Sequence, residues 1–279
     1  MNKISLILAM LIGTGLTKSQ AEIVQAQCIR SITEIKDAIS KIDPSEKTIA
    51  ALDWDQTISS EEGNYELREG FKTTKAIIDL HTKRIKAFIL TARLKGVGIE
   101  GGITDGRYYP KEEIDDLIVD QVNEMRKKLG PDWLKNGALK SNNLSELTIA
   151  GSMAQSGTGR ELKAIMSNQI VFSGGNQVKG ETMKLLIDQD FLNEKPDNII
   201  FVDNALYNMD EVTAAFEDRP EKVYLFYYPN SPDSCDDLSS SSSSLASSES
   251  SSSSSSSTTD EGEGDSGMHV GTAQADTGE

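Results

Sequence analysis

Short apolar runs alternate with amphipathic segments through the middle of the chain. Five runs have the length and composition of buried strands, at residues 48–52, 85–90, 169–172, 198–202 and 222–228. Apolar side chains spaced three and four residues apart predict helices over residues 73–80, 180–189 and 206–216. Strands that alternate with helices form a parallel sheet with helical crossovers. The pattern therefore predicts an α/β fold with about five parallel strands.

Two further segments precede or interrupt this alternation. Ser31 and Glu34 have the spacing of a capping box, and the isoleucines that follow predict a short helix that ends at Pro44. Residues 94–169 form a long insertion after the second strand. Within it, the amphipathic segment 111–129 predicts a helix, and weaker patterns indicate a strand at 147–150 and a short helix at 160–167.

The N-terminal segment has the pattern of an export signal. Lys3 precedes an apolar run at residues 4–16, and small residues suit cleavage after Ala21 or, as a second choice, after Ala26. The run is shorter than the ~20 residues of a typical transmembrane helix, and an uncleaved anchor is the alternative. We therefore expect residues 1–21 to be removed. Residues 22–232 would then form one exported domain, periplasmic or secreted, without stable membrane insertion.

The C-terminal segment differs sharply in composition. Residues 233–279 contain no Lys or Arg, are rich in serine, and carry ten acidic residues, whereas the whole chain has a net charge of −16. Such a segment buries too little apolar surface to offset the entropy lost on ordering, so we expect a disordered tail. The domain itself is only mildly acidic. An acidic domain with an acidic tail argues against nucleic acid as a partner.

The chain has two cysteines, Cys28 and Cys235, which bracket the predicted domain. In an exported protein an even number of cysteines suggests a disulfide, which here would join the two ends of the domain. Two unpaired thiols near the chain ends are the alternative. The sequence does not decide between them, because pairing requires the two Cα atoms to lie about 4.4–6.8 Å apart.

Two aspartates, Asp53 and Asp55, follow the first predicted strand. Alternate side chains of a strand share a face, so we expect these carboxylates and Thr57 to lie close together. Neighbouring carboxylates repel each other unless a cation lies between them or one is protonated, and such an oxygen-rich site suits a hard divalent cation such as Mg²⁺. A calcium loop is disfavoured, because Ile58 and Asn64 stand where it requires Gly and Glu.

Three further polar residues occur at the ends of predicted elements. Thr91 follows the second strand, Lys179 precedes the helix at 180–189, and Asp203 follows the fourth strand. Taken singly, a threonine in this place is commonly a helix cap and a lysine is commonly solvated. Phosphoryl transfer, however, needs a positioned nucleophile, cations around the phosphoryl oxygens and a proton donor. The ordered set of residues supplies all of these.

Four segments resemble, in their order, the four motifs of the haloacid dehalogenase-like (HAD) superfamily of phosphotransferases: Asp53-Trp54-Asp55-Gln56-Thr57, Thr91, Lys179-Gly180, and Asp203 with Asn208 and Asp210. The resemblance covers residues 48–212 apart from the insertion. It implies a three-layer, Rossmann-like parallel sheet, with residues 94–169 as a small cap or an elaborated edge between the second and third motifs. An acid at position 55 implies the phosphatase-type branch.

The resemblance also implies a role for each residue. Asp53 would attack phosphorus and form an aspartyl-phosphate, and Asp55 would protonate the leaving group and then activate water. Mg²⁺ would be held by Asp53 and Asp203, with the backbone carbonyl of Asp55 as a third ligand. Thr91 and Lys179 would bind the phosphoryl oxygens, and Lys179 would also pair with Asp53.

Five other residues are candidates for contacts with the substrate or the metal shell: Thr57, Arg93, Asn204, Asn208 and Asp210. Asn204 stands where the fourth motif often has a second acid, which leaves Asn208 and Asp210 as alternatives for that contact. Arg93 is expected either to clamp a substrate anion or to form a structural salt bridge. The helix that opens at Gly180 is expected to turn backbone N–H groups towards the anion.

These patterns predict an exported, Mg²⁺-dependent phosphoric monoester hydrolase that acts on a small phosphorylated substrate. A catalytically degenerate binding or surface protein with a Ser-rich spacer tail is the alternative, and Asn204 favours it. A non-enzymatic protein whose tail is the functional part is a third hypothesis. Catalysis by a Ser-His-Asp triad finds no supporting histidine. Substrate identity and oligomeric state are not readable from the sequence.

Overall fold

The computed structural model describes residues 22–104, 106–149, 161–175 and 177–235. The predicted signal segment and most of the predicted tail lie outside these ranges. The elements are β1 (Ile23–Cys28), α1 (Ile35–Ile39), β2 (Thr48–Leu52), α2 (Phe71–Thr82), β3 (Lys86–Thr91), β4 (Val97–Gly98), β5 (Gly101–Thr104), β6 (Arg107–Pro110), α3 (Lys111–Leu129), β7 (Ser145–Thr148), β8 (Lys163–Ser167), β9 (Ile170–Phe172), α4 (Lys179–Asp188), β10 (Asn198–Asp203), α5 (Leu206–Phe216) and β11 (Lys222–Tyr227). Among the described residues, we find no helix with the length and apolar character that a membrane span requires.

Eight strands form one sheet in the order β1-β11-β10-β2-β3-β9-β8-β7. Neighbours from β1 to β9 are parallel, whereas β8 and β7 add antiparallel strands at one edge. The five predicted strands can be numbered 1 to 5 along the chain, as β2, β3, β9, β10 and β11. In the sheet they then lie in the order 3-2-1-4-5. This is the order of doubly wound sheets. The fold is therefore α/β with a mixed, mostly parallel sheet, compatible with a Rossmann-like fold.

Helices cover both faces of this sheet, because its central strands are apolar on both sides. All five residues of β2 are buried. Ala50 and Leu52 belong to the same core as side chains of α1, α2 and α3. Ile49 and Ala51 belong to the core formed with α4 and α5 on the opposite face. The sheet is thus the middle of three layers.

The predicted central strands and helices agree with the structure to within about two residues. The five predicted strands are parallel, as expected, but the whole sheet is mixed and larger than predicted, because β7 and β8 join it in the antiparallel direction. The helix predicted at 160–167 is wrong where the structure describes it, since Lys163–Ser167 is strand β8. Ala164 and Met166 face one core and Ile165 the other, which is the period of a strand buried on both faces. Strand β1 was not predicted.

The insertion does not form a single unit. Strands β4, β5 and β6 make a separate three-stranded antiparallel sheet, whereas β7 and β8 extend the main sheet. Helix α3 lies between them in the chain, and its apolar stripe joins the core beneath α2: Ile114, Ile118, Val122, Met125 and Leu129. The insertion therefore contributes to the central core as well as to an edge of the sheet.

Cys28 and Cys235 form a disulfide, with their Cα atoms 5.4 Å apart. The bond joins the end of β1 to the segment that follows β11, and these two strands are neighbours in the sheet. The structure thus decides between the two states that the sequence left open. Ala26 lies inside β1, so signal cleavage after Ala26 would remove most of this strand, whereas cleavage after Ala21 leaves it whole.

We predict that replacing both cysteines by serine lowers the free energy of unfolding by about 2–4 kcal/mol, because the bond restricts the unfolded chain over a long loop. Urea denaturation followed by circular dichroism measures the change. Reduction with dithiothreitol should shift the wild-type transition similarly and leave that of the double variant in place. Equal midpoints for the oxidised wild type and the double variant would contradict the prediction.

Candidate functional site

The carboxyl ends of β2 and β10 meet at one edge of the sheet. Asp53 directly follows β2, and Asp203 is the last residue of β10, its paired neighbour. The chain leaves β2 towards β3 on one side and later returns to β10 on the other. Open α/β sheets form their binding crevices where the winding changes in this way. A cleft of about 630 Å³ opens at this point, lined in part by Asp53, Asp55 and Lys179.

One lysine joins the two strand ends. Lys179 Nζ donates hydrogen bonds to Asp53 Oδ1 and to Asp203 Oδ2, each at 2.6 Å. The exposed fraction is 4% for Asp53, 1% for Lys179 and 0% for Asp203. Lys179 is the first residue of α4, so this helix brings the ammonium to the sheet edge. One positive charge facing two carboxylates leaves the buried group with excess negative charge.

The charge imbalance affects protonation. Burial raises the pKa of Asp53; Lys179 opposes the rise and the charge of Asp203 adds to it. Burial disfavours the charged form of Lys179, but the carboxylates of Asp203 and Asp53 outweigh this effect and raise its pKa. Thr57 Oγ1 donates to Asp53 Oδ2 at 2.9 Å, which favours the ionised carboxylate. A further cation beside Asp53 would lower its pKa.

Asn208, and not Asp210, reaches the buried group. Asn208 Nδ2 donates to Asp203 Oδ2 at 2.9 Å, and the backbone N–H of Ala205 donates to Asp203 Oδ1 at 2.9 Å. Asn208 is buried and lines the cleft, whereas Asp210 is exposed and is not part of the lining. Asn208 Oδ1 is buried, and no donor in the described part of the chain reaches it. Of the two residues that the sequence offered for this contact, the structure therefore selects Asn208.

Asp55 has a different partner. Arg93 Nε donates to Asp55 Oδ2 at 2.9 Å, and Arg93 Nη2 donates to Asp55 Oδ1 at 2.6 Å. The backbone N–H of Gly63 donates to Oδ1 at 3.0 Å, and Thr91 Oγ1 donates to Oδ2 at 3.3 Å. Of the two roles considered for Arg93, the structure shows the salt bridge. The hydroxyl of Thr91 likewise turns towards Asp55.

Arg93 also attaches the loop after β2 to the site. Its Nη2 donates to the carbonyl of Asn64 at 2.9 Å, and its guanidinium lies 4.7 Å from the centre of the Tyr65 ring. Trp54, which stands between the two aspartates, is fully buried and donates from Nε1 to the same carbonyl at 3.0 Å. The loop is therefore held from both sides, and Tyr65 becomes part of the cleft wall.

Asn204 braces a strained turn. Its Nδ2 donates to Gln56 Oε1 at 3.1 Å, and Asn230 donates to the same oxygen at 2.9 Å. Gln56 has φ 59°, a left-handed conformation that is uncommon for a residue other than glycine. This strain lies between Asp55 and Thr57, beside the cleft, where such conformations tend to occur. Asn204, which stands where the fourth motif often has a second acid, thus holds the turn that carries Asp55.

A carboxylate of the chain occupies the start of α4. Glu211, on α5, accepts hydrogen bonds from the backbone N–H groups of Gly180 at 2.6 Å and Glu181 at 3.2 Å. Burial raises the pKa of Glu211, against the lowering effect of these bonds. The prediction that the N–H groups near Gly180 face a substrate anion is therefore wrong. The sequence carries no local signal for Glu211, because it lies 31 residues from Gly180 on another helix.

The insertion, expected as a small cap or an elaborated edge, supplies one wall of the cleft through residues that the sequence did not single out as site residues. Tyr109 lines it from β6, and Leu117 and Gln121 line it from α3. The amphipathic pattern of α3 predicted which residues enter the core, but Leu117 and Gln121 lie at the border of that stripe. Their exposure to the cleft depends on where α3 packs, which is a property of the tertiary structure.

The buried group fits a hard cation such as Mg²⁺. Asp53 Oδ2 and Asp203 Oδ1 are not bound to Lys179, and Asn208 Oδ1 has no donor among the described residues. Mg²⁺ in proteins is usually held by one or two carboxylates and several waters. The side chain of Asp55 is paired with Arg93, so the backbone carbonyl is the group of Asp55 that remains to bind the cation. Within the described ranges, no three His, Cys, Asp or Glu side chains are grouped as metal ligands.

Comparison with known proteins identifies a family but no activity. A family model described as "Protein of unknown function (DUF2608)" matches residues 16–239. The chain belongs to this family. No curated protein and no solved structure matches it. The function of this DUF2608 protein must therefore be argued from the geometry of the cleft.

Gly180 sets how closely α4 approaches α5. A Cβ at this position would lie 2.6 Å from the Cβ of Ala215 and 3.0 Å from Glu211 Oε1. We predict that Gly180→Ala displaces α4 and lowers the free energy of unfolding by about 1–3 kcal/mol, as overpacking usually does. Urea denaturation measures the loss. Gly175→Ala is the control, because its Cβ would meet nothing closer than 3.5 Å; equal losses for both variants would refute the explanation.

Proposed function

We propose that the protein is an exported, Mg²⁺-dependent phosphatase of the HAD-like type, which hydrolyses a small phosphomonoester through an aspartyl-phosphate. One observation carries the proposal: Lys179 joins the buried carboxylates of Asp53 and Asp203 at the end of neighbouring strands, beside an open cleft. The 3-2-1-4-5 strand order and the chain order of the site residues support this assignment. The predicted export signal supports the location.

Asp53 is the nucleophile in this mechanism. The ion pair with Lys179 and the hydrogen bond from Thr57 hold its carboxylate in one orientation, which lowers the entropy lost on reaching the transition state. Attack on phosphorus forms an acyl phosphate and breaks the bond to the leaving oxygen. Mg²⁺, held by Asp53, Asp203 and the Asp55 backbone carbonyl, would supply positive charge to the phosphoryl oxygens. Lys179 remains buried and keeps the two strand ends together.

Asp55 transfers protons. It protonates the leaving oxygen in the first step, and in the second it removes a proton from the water that attacks the acyl phosphate. Its carboxylate is bound by Arg93 in the free protein. A phosphoryl dianion in the cleft competes for the same guanidinium, since Arg binds carboxylate and phosphate with similar geometry. Substrate binding would therefore release Asp55 from Arg93, and the freed carboxylate would take up from solvent the proton that it passes to the leaving oxygen.

Asp53→Asn tests the nucleophile. We expect Mg²⁺-dependent release of phosphate from 4-nitrophenyl phosphate to fall by about 10⁴-fold or more, because the amide does not attack phosphorus. EDTA should abolish the wild-type activity, and added Mg²⁺ should restore it. Asp210→Asn is the matched control: it makes the same chemical change at an exposed position outside the cleft and should retain activity. Unchanged turnover in Asp53→Asn would contradict the mechanism.

Asp55→Asn separates the two chemical steps. The 4-nitrophenolate leaving group needs no proton, so the first step should proceed, whereas hydrolysis of the acyl phosphate should slow by about 10²–10⁴-fold. Stopped-flow absorbance should then show a burst of one nitrophenolate per protein molecule, followed by slow turnover. Slow turnover without a burst would argue against this division of roles.

A non-catalytic binding protein is the second candidate. It is favoured because the three aspartates assigned to catalysis and metal binding are already paired with cations of the chain: Asp53 and Asp203 with Lys179, and Asp55 with Arg93. Such pairs also occur in sites that only hold a structure together. Calorimetry with Mg²⁺ and a panel of phosphomonoesters distinguishes the two candidates. No heat of Mg²⁺ binding and no turnover would favour the binding protein.

A further inference from the structure

The cleft extends from the proposed reaction centre along a wall of aromatic and apolar side chains. Tyr65, Tyr109 and Leu117 line it, and all three also pack against the core beneath α2 and α3. Tyr65 contacts Arg93, which binds Asp55. The Tyr65 end of this wall therefore adjoins the proposed proton donor, on the side of the reaction centre where the leaving group must lie.

We propose that this wall is a leaving-group subsite for an aromatic ring, and that the substrates are nucleoside or similar aromatic monophosphates. The inference rests on the proposed function. Tyr65 and Tyr109 are half-buried and line the cleft, and the guanidinium groups of Arg93 and Arg107 lie 4.7 and 4.6 Å from their ring centres, so the core and these cations hold the rings in place. Planar bases stack on aromatic side chains through their π faces. A sugar or an alkyl chain gains less from such a surface.

Gln121 adds a polar group to the same wall. Its Oε1 is buried, and no donor in the described ranges reaches it. A buried carbonyl oxygen without a donor is unfavourable, so a ligand gains affinity if it supplies a donor when the Gln121 amide turns towards the cleft. Gln121 lies four residues after Leu117, on the same side of α3. A ring with an N–H or O–H group, such as a nucleobase, would contact both side chains.

The charges of the cleft limit the substrate to one phosphate. The lining contains three basic and three acidic side chains: Arg93, Lys95 and Lys179, and Asp53, Asp55 and Glu62. Arg93 and Lys179 are already paired with acids. The proposed Mg²⁺ would serve the reacting phosphoryl group, and the side chains of the cleft supply no further excess of positive charge to concentrate polyanions. Bisphosphates and polynucleotides are therefore poorer candidates than monophosphates.

The test uses pairs of esters with the same type of primary alcohol leaving group. Adenosine 5′-monophosphate and ribose 5-phosphate differ by the base, whereas benzyl phosphate and cyclohexylmethyl phosphate differ by the aromaticity of the ring. We expect kcat/KM to be about 10–100-fold higher for the aromatic member of each pair. Equal values within each pair, with clear turnover, would overturn the subsite and leave the proposed function standing.

Three variants assign the preference to the wall. Tyr109→Leu keeps an apolar side chain but removes the ring, so it should lower the ratio within each pair by about 5-fold or more. Gln121→Leu should lower kcat/KM for adenosine 5′-monophosphate but not for benzyl phosphate, which offers no donor. Tyr108→Leu is the control, since Tyr108 is 56% exposed and is not part of the lining. Ratios unchanged in the first two variants would contradict the assignment.

Binding to the Asp53→Asn variant separates this inference from the proposed function. Calorimetric titration with adenosine 5′-monophosphate and ribose 5-phosphate should show the same preference for the aromatic compound, with no turnover required. If the wild type hydrolyses no ester but this preference in binding remains, the proposed function fails and the aromatic subsite stands. If the two compounds bind equally, the inference fails.

Discussion

The rest of the site depends on one buried ammonium group. Lys179 contacts carboxylates from two neighbouring strands, and all three side chains are almost completely excluded from solvent. Removing either kind of partner would leave an uncompensated buried charge, which is strongly unfavourable. The lysine therefore ties β2, β10 and α4 together at the point where the winding of the sheet changes. Burial of this group raises the pKa of Asp53, and the charge of Asp203 adds to the rise while Lys179 opposes it.

Several side chains around this group hold the reacting residues in position. Asn204 binds Gln56 and so holds the strained turn that carries Asp55. Arg93 orients Asp55 and attaches the loop that carries Tyr65. Glu211 occupies the start of α4 and thereby fixes the helix from which Lys179 projects. Asn204 and Glu211 act only through other residues, so they preorganise the site, whereas Arg93 would also bind the phosphoryl group when substrate displaces Asp55.

The insertion contributes both to the core and to the cleft. One face of α3 completes the core beneath the sheet, while the border of the same helix, with Tyr109 from β6, forms a wall of the cleft. A segment packed in this way cannot move freely as a rigid cap without exposing Ile114, Ile118 and their neighbours to water. The proposed preference for an aromatic leaving group follows from this arrangement, because the half-buried rings are held in place by the core itself.

The sequence by itself determined the elements whose pattern is local: the central strands, helices α3 to α5, and the chain order of Asp53, Asp55, Lys179 and Asp203. Hydrophobic periodicity and strand-end acids are visible within a few residues, so no tertiary information is needed. Only the tertiary structure decided that residues 163–167 form a strand, that Cys28 pairs with Cys235, and that Glu211 caps α4. It also selected Asn208 over Asp210 and gave Arg93 its partner. These outcomes depend on contacts between residues as far as 207 positions apart, and local patterns carry no information about which distant side chains meet.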